Sequence, residues 1–300
     1  MDNTTVLGIG FGLGAAFFQS LSYVCIRLFN KRHDNTIITL LALSHILMGA
    51  ISIPLAAMLW PESMPGVAEY GLSLLGASGF YLLGQFFLFT AIIHSEPSRI
   101  SPLLGLKVLM LSMIGVVFLG ARFGPAKWLA VVLCTAAVFL LSWSGKRIER
   151  RFAVLGVLAC LSYCLSDISI KALVDHFSFM GTLPGASLAT ALCYILCGAV
   201  GAVIVLMEPG HSTRGTWLYA MPFAVSWFIA MIFLFSCFGM IGVVFGNILQ
   251  STRGIISIVL GFIIAHIGFE TLEPKPTKRV IFQRMAAALL MTAAVVLFLK

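Results

Sequence analysis

Residues 182–207 read TLPGASLATALCYILCGAVGAVIVLM, and no charged side chain interrupts this run. About 20 consecutive apolar residues are enough for a helix to cross the hydrocarbon of a bilayer, so the run predicts a transmembrane helix. Nine other runs have the same character, and lipid admits helices but no open strands. The sequence therefore predicts an all-α integral membrane protein with ten transmembrane helices. The predicted spans are 5–26, 36–60, 71–94, 98–121, 125–145, 153–174, 182–207, 217–240, 243–266 and 283–299.

The composition agrees with a membrane protein. Of the 300 residues, 60% are apolar and 10% are charged, against roughly 25% charged in soluble domains. This excludes a water-soluble enzyme, a disordered chain and a secreted disulfide scaffold. The net charge of +8 comes from short basic clusters between apolar runs, which is the pattern of loops beside a membrane. We therefore expect the lipid bilayer and a small-molecule substrate as partners, and no nucleic acid.

All seven cysteines lie within apolar runs, and no Cys-x-x-Cys motif occurs. No histidine or carboxylate stands near them at the spacing that metal ligation requires. The cysteines are expected to be buried, reduced thiols. The sequence predicts no metal and no cofactor.

The chain is internally repeated, because five segments of its first half match five of its second half in the same order. A repeat of this kind is informative about architecture. The first three matches are 21–27 (LSYVCIR) with 165–171 (LSDISIK), 44–51 (SHILMGAI) with 193–200 (CYILCGAV), and 87–91 (FLFTA) with 233–237 (FLFSC). The fourth match places Lys107 opposite Arg253 and Gly115 opposite Gly261 in one register. The fifth is 135–138 (TAAV) with 292–295 (TAAV). The third match also sets Tyr81 opposite Trp227.

Each repeat holds five spans, and an odd number makes the second repeat enter the membrane from the opposite side. The sequence thus predicts two inverted five-helix repeats, residues 1–145 and 153–300. Inverted repeats are typical of alternating-access transporters, whose substrate site lies near the midplane between the halves.

The size, the duplication and the basic residue that closes the first helix of each repeat, Arg27 and Lys171, resemble the drug/metabolite transporter superfamily. The specific resemblance is to its ten-helix EamA-type exporters, and it covers the whole chain. A proline-containing start of the fourth span, 96–102, adds to it, whereas the ninth span has Asn247-Ile248 in place of Ser101-Pro102. The resemblance implies a secondary transporter that exports small metabolites such as amino acids, and the bacterial aromatic amino-acid exporters are the most similar branch. It also implies a multi-pass protein of the cell inner membrane, which we expect to be functional as a monomer.

Charged groups inside spans are costly and therefore mark places where function should be sought. Asp167 is the only acidic residue deep in a span. It could be a protonatable coupling group, or it could pair with Lys171, four residues on and on the same helix face. Lys107 and Arg253 could each bind an anionic group of the substrate, or could contact helix-end carbonyls and headgroups instead.

Aromatic rings with a few amides and hydroxyls would line a cavity suited to an amphipathic organic solute. Tyr81 and Gln85 are four residues apart and share a helix face. The same aromatic residues could simply be packed in the core or at the interface, and His45 could be an ordinary core histidine. The predicted substrate-binding residues are Tyr81, Gln85, Ser22, Tyr23, Tyr163, Asp167, Trp227, Lys107, Arg253, Asn247 and His45. Further polar groups within spans are Gln19, Ser166, Tyr194 and Gln250.

Gly8, Gly10, Gly12 and Gly14 form two overlapping Gly-x-x-x-Gly pairs. Small residues at this spacing let two helices approach closely, so we expect them to pack rather than to line a substrate path.

Two other functions are weighed against an exporter of amino acids. An intramembrane enzyme would need converging catalytic groups, but the chain has one deep aspartate and no Gly-x-Ser-x-Gly or His-x-x-x-His motif. We therefore expect no enzymatic activity. A carrier of sugars, nucleotide sugars or drugs remains open, because nothing in the sequence fixes the substrate.

Overall fold

The computed structural model describes residues 2–32, 37–93, 104–142, 149–207, 213–266 and 278–299, and all regular structure within them is helical. The helices are α1 (Asn3–Arg32), α2 (Ile37–Leu59), α3 (Val67–Ile93), α4 (Leu106–Phe118), α5 (Pro125–Ser142), α6 (Arg150–His176), α7 (Thr182–Met207), α8 (Arg214–Ile241), α9 (Val243–Ser251), α10 (Arg253–His266) and α11 (Lys278–Phe298). A short 3₁₀ turn, Ser178–Met180, precedes α7.

Six of these helices, α1–α3 and α6–α8, are long and apolar enough to cross a bilayer. Shorter apolar helices are present at 106–118, 125–141 and 282–298. The prediction of an all-α, multi-pass membrane protein is therefore confirmed. Several boundaries differ from the predicted ones: α1 continues to Arg32, and α11 begins at Lys278 rather than at residue 283.

The ninth predicted span, 243–266, is not one continuous helix, because it is interrupted at Thr252 between α9 and α10. The Thr252 amide donates to the carbonyl of Leu249, three residues earlier, at 3.0 Å. The Thr252 hydroxyl donates to the same carbonyl at 2.6 Å. A threonine that bonds its own helix in this way competes with the regular hydrogen-bond ladder, so the chain tightens here and α10 begins at Arg253.

The fourth span shows a comparable turn at Gly105, directly before α4. The proline-containing segment 96–102 and the breaker residues at 208–210, 274 and 276 lie outside the described residues.

The main helix contacts each join a helix of the first half to one of the second. α1 packs on α8, α2 on α7, α3 on α6 and α5 on α11. The predicted register makes α6, α7, α8 and α11 the counterparts of α1, α2, α3 and α5. When each helix is replaced by its counterpart, the α1–α8 pair becomes the α6–α3 pair. The α2–α7 and α5–α11 pairs are converted into themselves. The contacts of α4 with α6 and of α10 with α1 are exchanged in the same way. This is the packing expected of a repeated chain, although the repeat itself stays a prediction.

Glycines bring helix backbones together where α1 and α2 meet the second half. A Cβ placed on Gly8, Gly12 or Gly14 would lie within 2.7 Å of side chains on α8 or α9. The expected packing role of these three glycines is therefore confirmed, while Gly10 faces open space. The seven cysteines are buried and free of disulfides, as expected.

Candidate functional site

Four aromatic side chains meet where α2, α3, α7 and α8 come together. His45 of α2 and Tyr194 of α7 stack with ring centroids 6.1 Å apart. His45 Nε2 lies 3.2 Å from the hydroxyl of Tyr81 on α3, and Trp227 Nε1 on α8 donates to the hydroxyl of Tyr194 at 2.8 Å. In the predicted register, His45 stands opposite Tyr194 and Tyr81 opposite Trp227. The two hydrogen bonds are therefore equivalent under exchange of the halves.

Tyr163 of α6, in the second half, extends this cluster along α3. Its ring lies 6.5 Å from that of Tyr81, and its hydroxyl donates to Gln85 Oε1 at 3.2 Å. The ring fits against α3 because Gly84 has no side chain: a Cβ there would lie 2.7 Å from it. We refer to His45, Tyr81, Tyr163, Tyr194 and Trp227 as the aromatic cluster.

The aromatic cluster is only partly buried. Tyr81 and Tyr163 both keep part of their surface accessible. Trp227 and Gln85 are also half-buried, whereas His45 and Tyr194 are almost fully buried. The cluster thus combines two buried rings with three partly accessible ones, at contacts between helices of both halves.

A buried ion pair lies beside the cluster. Lys107 Nζ of α4 is 2.7 Å from Asp167 Oδ2 of α6, and 17% and 7% of the two side chains are exposed. The Asn247 amide of α9 donates to the same carboxylate oxygen at 2.7 Å and to the carbonyl of Val243 at 2.9 Å. Lys107 Nζ also lies 5.8 Å from the centre of the Tyr163 ring. One carboxylate thus joins helices from both halves.

The predicted pairing of Asp167 with Lys171 is wrong. Lys171 instead binds Asp175, one turn further along α6, with Nζ 2.5 and 2.6 Å from the two carboxylate oxygens. The Asp175 side chain is 54% exposed, so this pair lies at the surface of the bundle. Asp167, four residues earlier and deeper in the bundle, is within reach of Lys107 across the interface between helices.

Arg253 has a different environment from Lys107. Its Nη1 donates to Gln19 Oε1 of α1 at 3.1 Å, and its guanidinium carbon lies 6.0 Å from the centre of the Tyr23 ring. The hydroxyl of Ser20 donates to the backbone carbonyl of Arg253 at 2.9 Å, which fixes the start of α10 against α1.

The two cations nevertheless contact matching positions. In the register of the first repeat segment, Gln19 stands opposite Tyr163 and Tyr23 opposite Asp167. Each cation therefore lies between two residues, four apart, on the first helix of the other half. The difference is that one half presents a carboxylate where the other presents a tyrosine ring.

Most of the predicted site residues thus come together in this region. Ser22 does not take part, because it is fully buried and its hydroxyl donates to the carbonyl of Gln19 in its own helix at 2.7 Å. Ser166 similarly donates to the carbonyl of Ala77 at 2.7 Å and joins α6 to α3. Gln19 and Tyr194 were noted only as polar groups within spans, yet both are central. The sequence could have indicated both, because in the repeat register Gln19 stands opposite Tyr163 and Tyr194 stands opposite His45, which are both predicted site residues.

An open groove of about 560 Å³ lies elsewhere, between α4 and α5. It is lined by Leu109, Val132, Thr135, Ala136, Phe139 and Leu140. Its one hydroxyl, on Thr135, donates to the carbonyl of Val131 in its own helix at 2.8 Å. Such an apolar surface offers no polar group to orient a metabolite. Among the described residues, no group of three or more histidine, cysteine, aspartate or glutamate side chains could hold a metal ion.

Comparison with known proteins relates the first half of the chain to a transporter family and the whole chain to a known fold. Residues 6–143 match the EamA-like transporter family, which makes the first half of the chain similar to membrane transporters. A solved structure described as "Crystal structure of protein" is similar over 99% of this chain and 97% of that chain, with a TM-score of 0.72 and 14% sequence identity. At that identity the likeness shows the fold alone. No curated protein sequence matches the chain.

Proposed function

We propose that the protein is a secondary transporter that exports small metabolites through the space between its two halves. The observation that carries the proposal is the partly accessible aromatic cluster formed by helices of both halves. The match of residues 6–143 to the EamA-like transporter family supports the same function. The two halves act as inverted repeats that rock against each other in the cell inner membrane, and one monomer contains a complete site.

The pairing of equivalent residues supports the repeat. His45 stacks on Tyr194, which stands opposite it in the register, and Gly49 lies against Gly198, which also stands opposite it. In an arrangement with approximate two-fold symmetry, residues that touch their own equivalents lie on the axis. A site near that axis is accessible from either side of the membrane in turn.

The lining favours amino acids with aromatic or other apolar side chains as substrates. Rings of Tyr81, Tyr163 and Trp227 present apolar faces, while Gln85 and the tyrosine hydroxyls provide polar groups that orient a ligand. Arg253 gives the region a positive charge that suits a carboxylate, whereas the charge of Lys107 is balanced by Asp167.

Purified protein in liposomes should accumulate or release radiolabelled phenylalanine, tryptophan or leucine faster than empty liposomes. Competition by unlabelled sugars, nucleotide sugars and cationic drugs then separates the amino-acid carrier from the other carriers. If no labelled amino acid crosses in either direction while a sugar or drug does, the substrate assignment is wrong. If no solute crosses at all, the transport function itself is wrong.

Replacing Trp227 by phenylalanine should raise the KM of transport about fivefold, equivalent to about 1 kcal/mol, because the smaller ring makes less contact with an apolar solute and the Tyr194 hydroxyl loses the N–H that orients it. The matched control is Trp60→Phe, at the end of α2, where the side chain is exposed and outside the cluster. Both variants are measured in the same liposome assay. Equal KM values for the two variants would show that Trp227 is not part of the substrate site.

A further inference from the structure

The two matched cations differ in how their charge is balanced. Lys107 has Asp167 at 2.7 Å, but the position opposite Asp167 in the other half is Tyr23. Within the part of the chain that the structure describes, Arg253 forms no ion pair with a carboxylate. A guanidinium deep in a membrane protein is costly without a counter-charge. Arg253 therefore lacks the carboxylate counter-ion that Lys107 has in Asp167.

Gln19 provides an independent observation at the same place. Its side chain is fully buried, and its Nε2 has no hydrogen-bond acceptor among the described residues. Rotating the amide would place Nε2 against the Arg253 guanidinium, donor against donor, so the bond from Arg253 to Oε1 fixes its orientation. A buried N–H group without an acceptor is unfavourable, and the missing partner must be an acceptor.

We propose that Arg253 and Gln19 form an anion subsite that binds the carboxylate of the transported molecule. The guanidinium N–H groups that Gln19 does not use supply the donors for the carboxylate oxygens, and the buried Gln19 Nε2–H lies beside them without an acceptor of its own. Arginine is suited to this planar, two-oxygen recognition. The inference rests on the proposed transport function and specifies its substrate class: solutes that carry a carboxylate, rather than neutral sugars or cationic drugs.

The surrounding backbone and rings favour the same ligand. Arg253 is the first residue of the 14-residue helix α10, and the bond from the Ser20 hydroxyl to its carbonyl fixes this backbone against α1. The Tyr23 ring covers one side of the guanidinium at 6.0 Å. In the repeat register Gln19 and Tyr23 stand opposite Tyr163 and Asp167, so the subsite occupies in one half the place that the Lys107–Asp167 pair occupies beside the cluster in the other. A carboxylate at Arg253 would leave the apolar part of the solute against the rings.

The same asymmetry gives Lys107 a different role. Because Asp167 already neutralises it, Lys107 holds the helices together and does not bind the substrate anion. The prediction that both cations are substrate-binding residues is thereby narrowed to Arg253.

Equilibrium binding to the full-length protein in detergent micelles tests the subsite. The probes are L-phenylalanine, its decarboxylated amine phenethylamine, and 3-phenylpropionate, which keeps the carboxylate but lacks the amine. The wild type should bind the two carboxylates about 10- to 100-fold more tightly than the amine, the range expected for hydrogen bonds to a charged group. Arg253→Gln should remove this preference, and Gln19→Leu should reduce it. Lys171→Gln, which removes a cation from the exposed pair on α6, should leave it unchanged.

The melting temperature of each variant and its affinity for phenethylamine report whether the site is still folded. If the wild type binds phenethylamine as tightly as the carboxylates, or if Arg253→Gln keeps the preference, the subsite is wrong. Liposome transport separates this from failure of the proposed function. If amines and amino acids cross equally well, the protein is a transporter but the proposed anion subsite is wrong. If carboxylate binding depends on Arg253 but no solute is transported, the subsite is correct and the proposed transport function is wrong.

Discussion

Replacing Asp167 by leucine should lower the free energy of unfolding by about 3 kcal/mol, because removing one member of a buried ion pair leaves the other charge uncompensated. Lys107 would lose the carboxylate 2.7 Å from its Nζ. Asn247 would lose one of the two acceptors of its amide. Only 7% of the Asp167 side chain is exposed, so water cannot take the place of the carboxylate.

The free energy of unfolding is measured on the purified protein in mixed micelles, as the fraction of denaturing detergent is increased and tryptophan fluorescence is followed. Lys171→Met is the matched control, because it breaks an ion pair on the same helix. That pair is exposed at Asp175, and an exposed pair is worth about 0–1 kcal/mol. Equal losses in the two variants would show that Asp167 is effectively hydrated.

The double variant Lys107→Met/Asp167→Leu separates the ion pair from simple packing. Replacing both charges by apolar side chains of similar size is often neutral or stabilising in a buried setting. We therefore expect the double variant to regain most of the stability lost in Asp167→Leu. If the two losses instead add, Lys107 and Asp167 are not coupled and the close contact has no energetic role.

The sequence predicts the six long apolar helices well because lipid imposes one simple requirement on them. A run of apolar residues without charges has to be helical and has to be about 20 residues long. The break at Thr252 could not be predicted in this way, because hydropathy does not change there. It depends on a local competition between the Thr252 hydroxyl and the helix ladder for the carbonyl of Leu249.

The partner of Asp167 shows where local rules stop being informative. The rule for residues four apart on a helix allows Lys171 to pair with Asp167 or with Asp175, which lie one turn to either side. Burial distinguishes the two carboxylates, since 7% of the Asp167 side chain and 54% of the Asp175 side chain are exposed, and burial is a property of the assembled bundle. Lys107, 60 positions away in sequence, is brought to Asp167 by the contact between α4 and α6. No spacing rule within one helix could have indicated it.

The repeat register is more informative about the site than residue type alone. It relates Gln19 to Tyr163, His45 to Tyr194 and Tyr23 to Asp167. Read in this way, the sequence contains the asymmetry on which the anion subsite depends. The register could not reveal that Gln19 Nε2 lacks an acceptor, since that depends on the orientation of one amide.

Replacing Gly198 by alanine should lower the free energy of unfolding by about 2–3 kcal/mol, because an added methyl group in a tightly packed contact forces backbone shifts. A Cβ on Gly198 would lie 2.9 Å from the carbonyl oxygen of His45 and 3.0 Å from the Cα of Gly49. Both are backbone atoms of α2, so no side-chain rotation can relieve the contact. The helices α2 and α7 would have to move apart, and Gly198→Leu should prevent the folded protein from accumulating.

The effect should extend to the candidate site, because His45 and Tyr194 lie one helical turn before Gly49 and Gly198. Separating α2 from α7 weakens the stacking of these two rings and alters the surroundings of Trp227, which donates to Tyr194. Gly198→Ala should therefore change tryptophan fluorescence and weaken ligand binding together with stability. Gly79→Ala is the matched control: a Cβ on Gly79 of α3 meets nothing within 4 Å. That variant should gain up to about 1 kcal/mol from the better helix propensity of alanine. If Gly198→Ala behaves like Gly79→Ala, α2 and α7 do not make this close backbone contact.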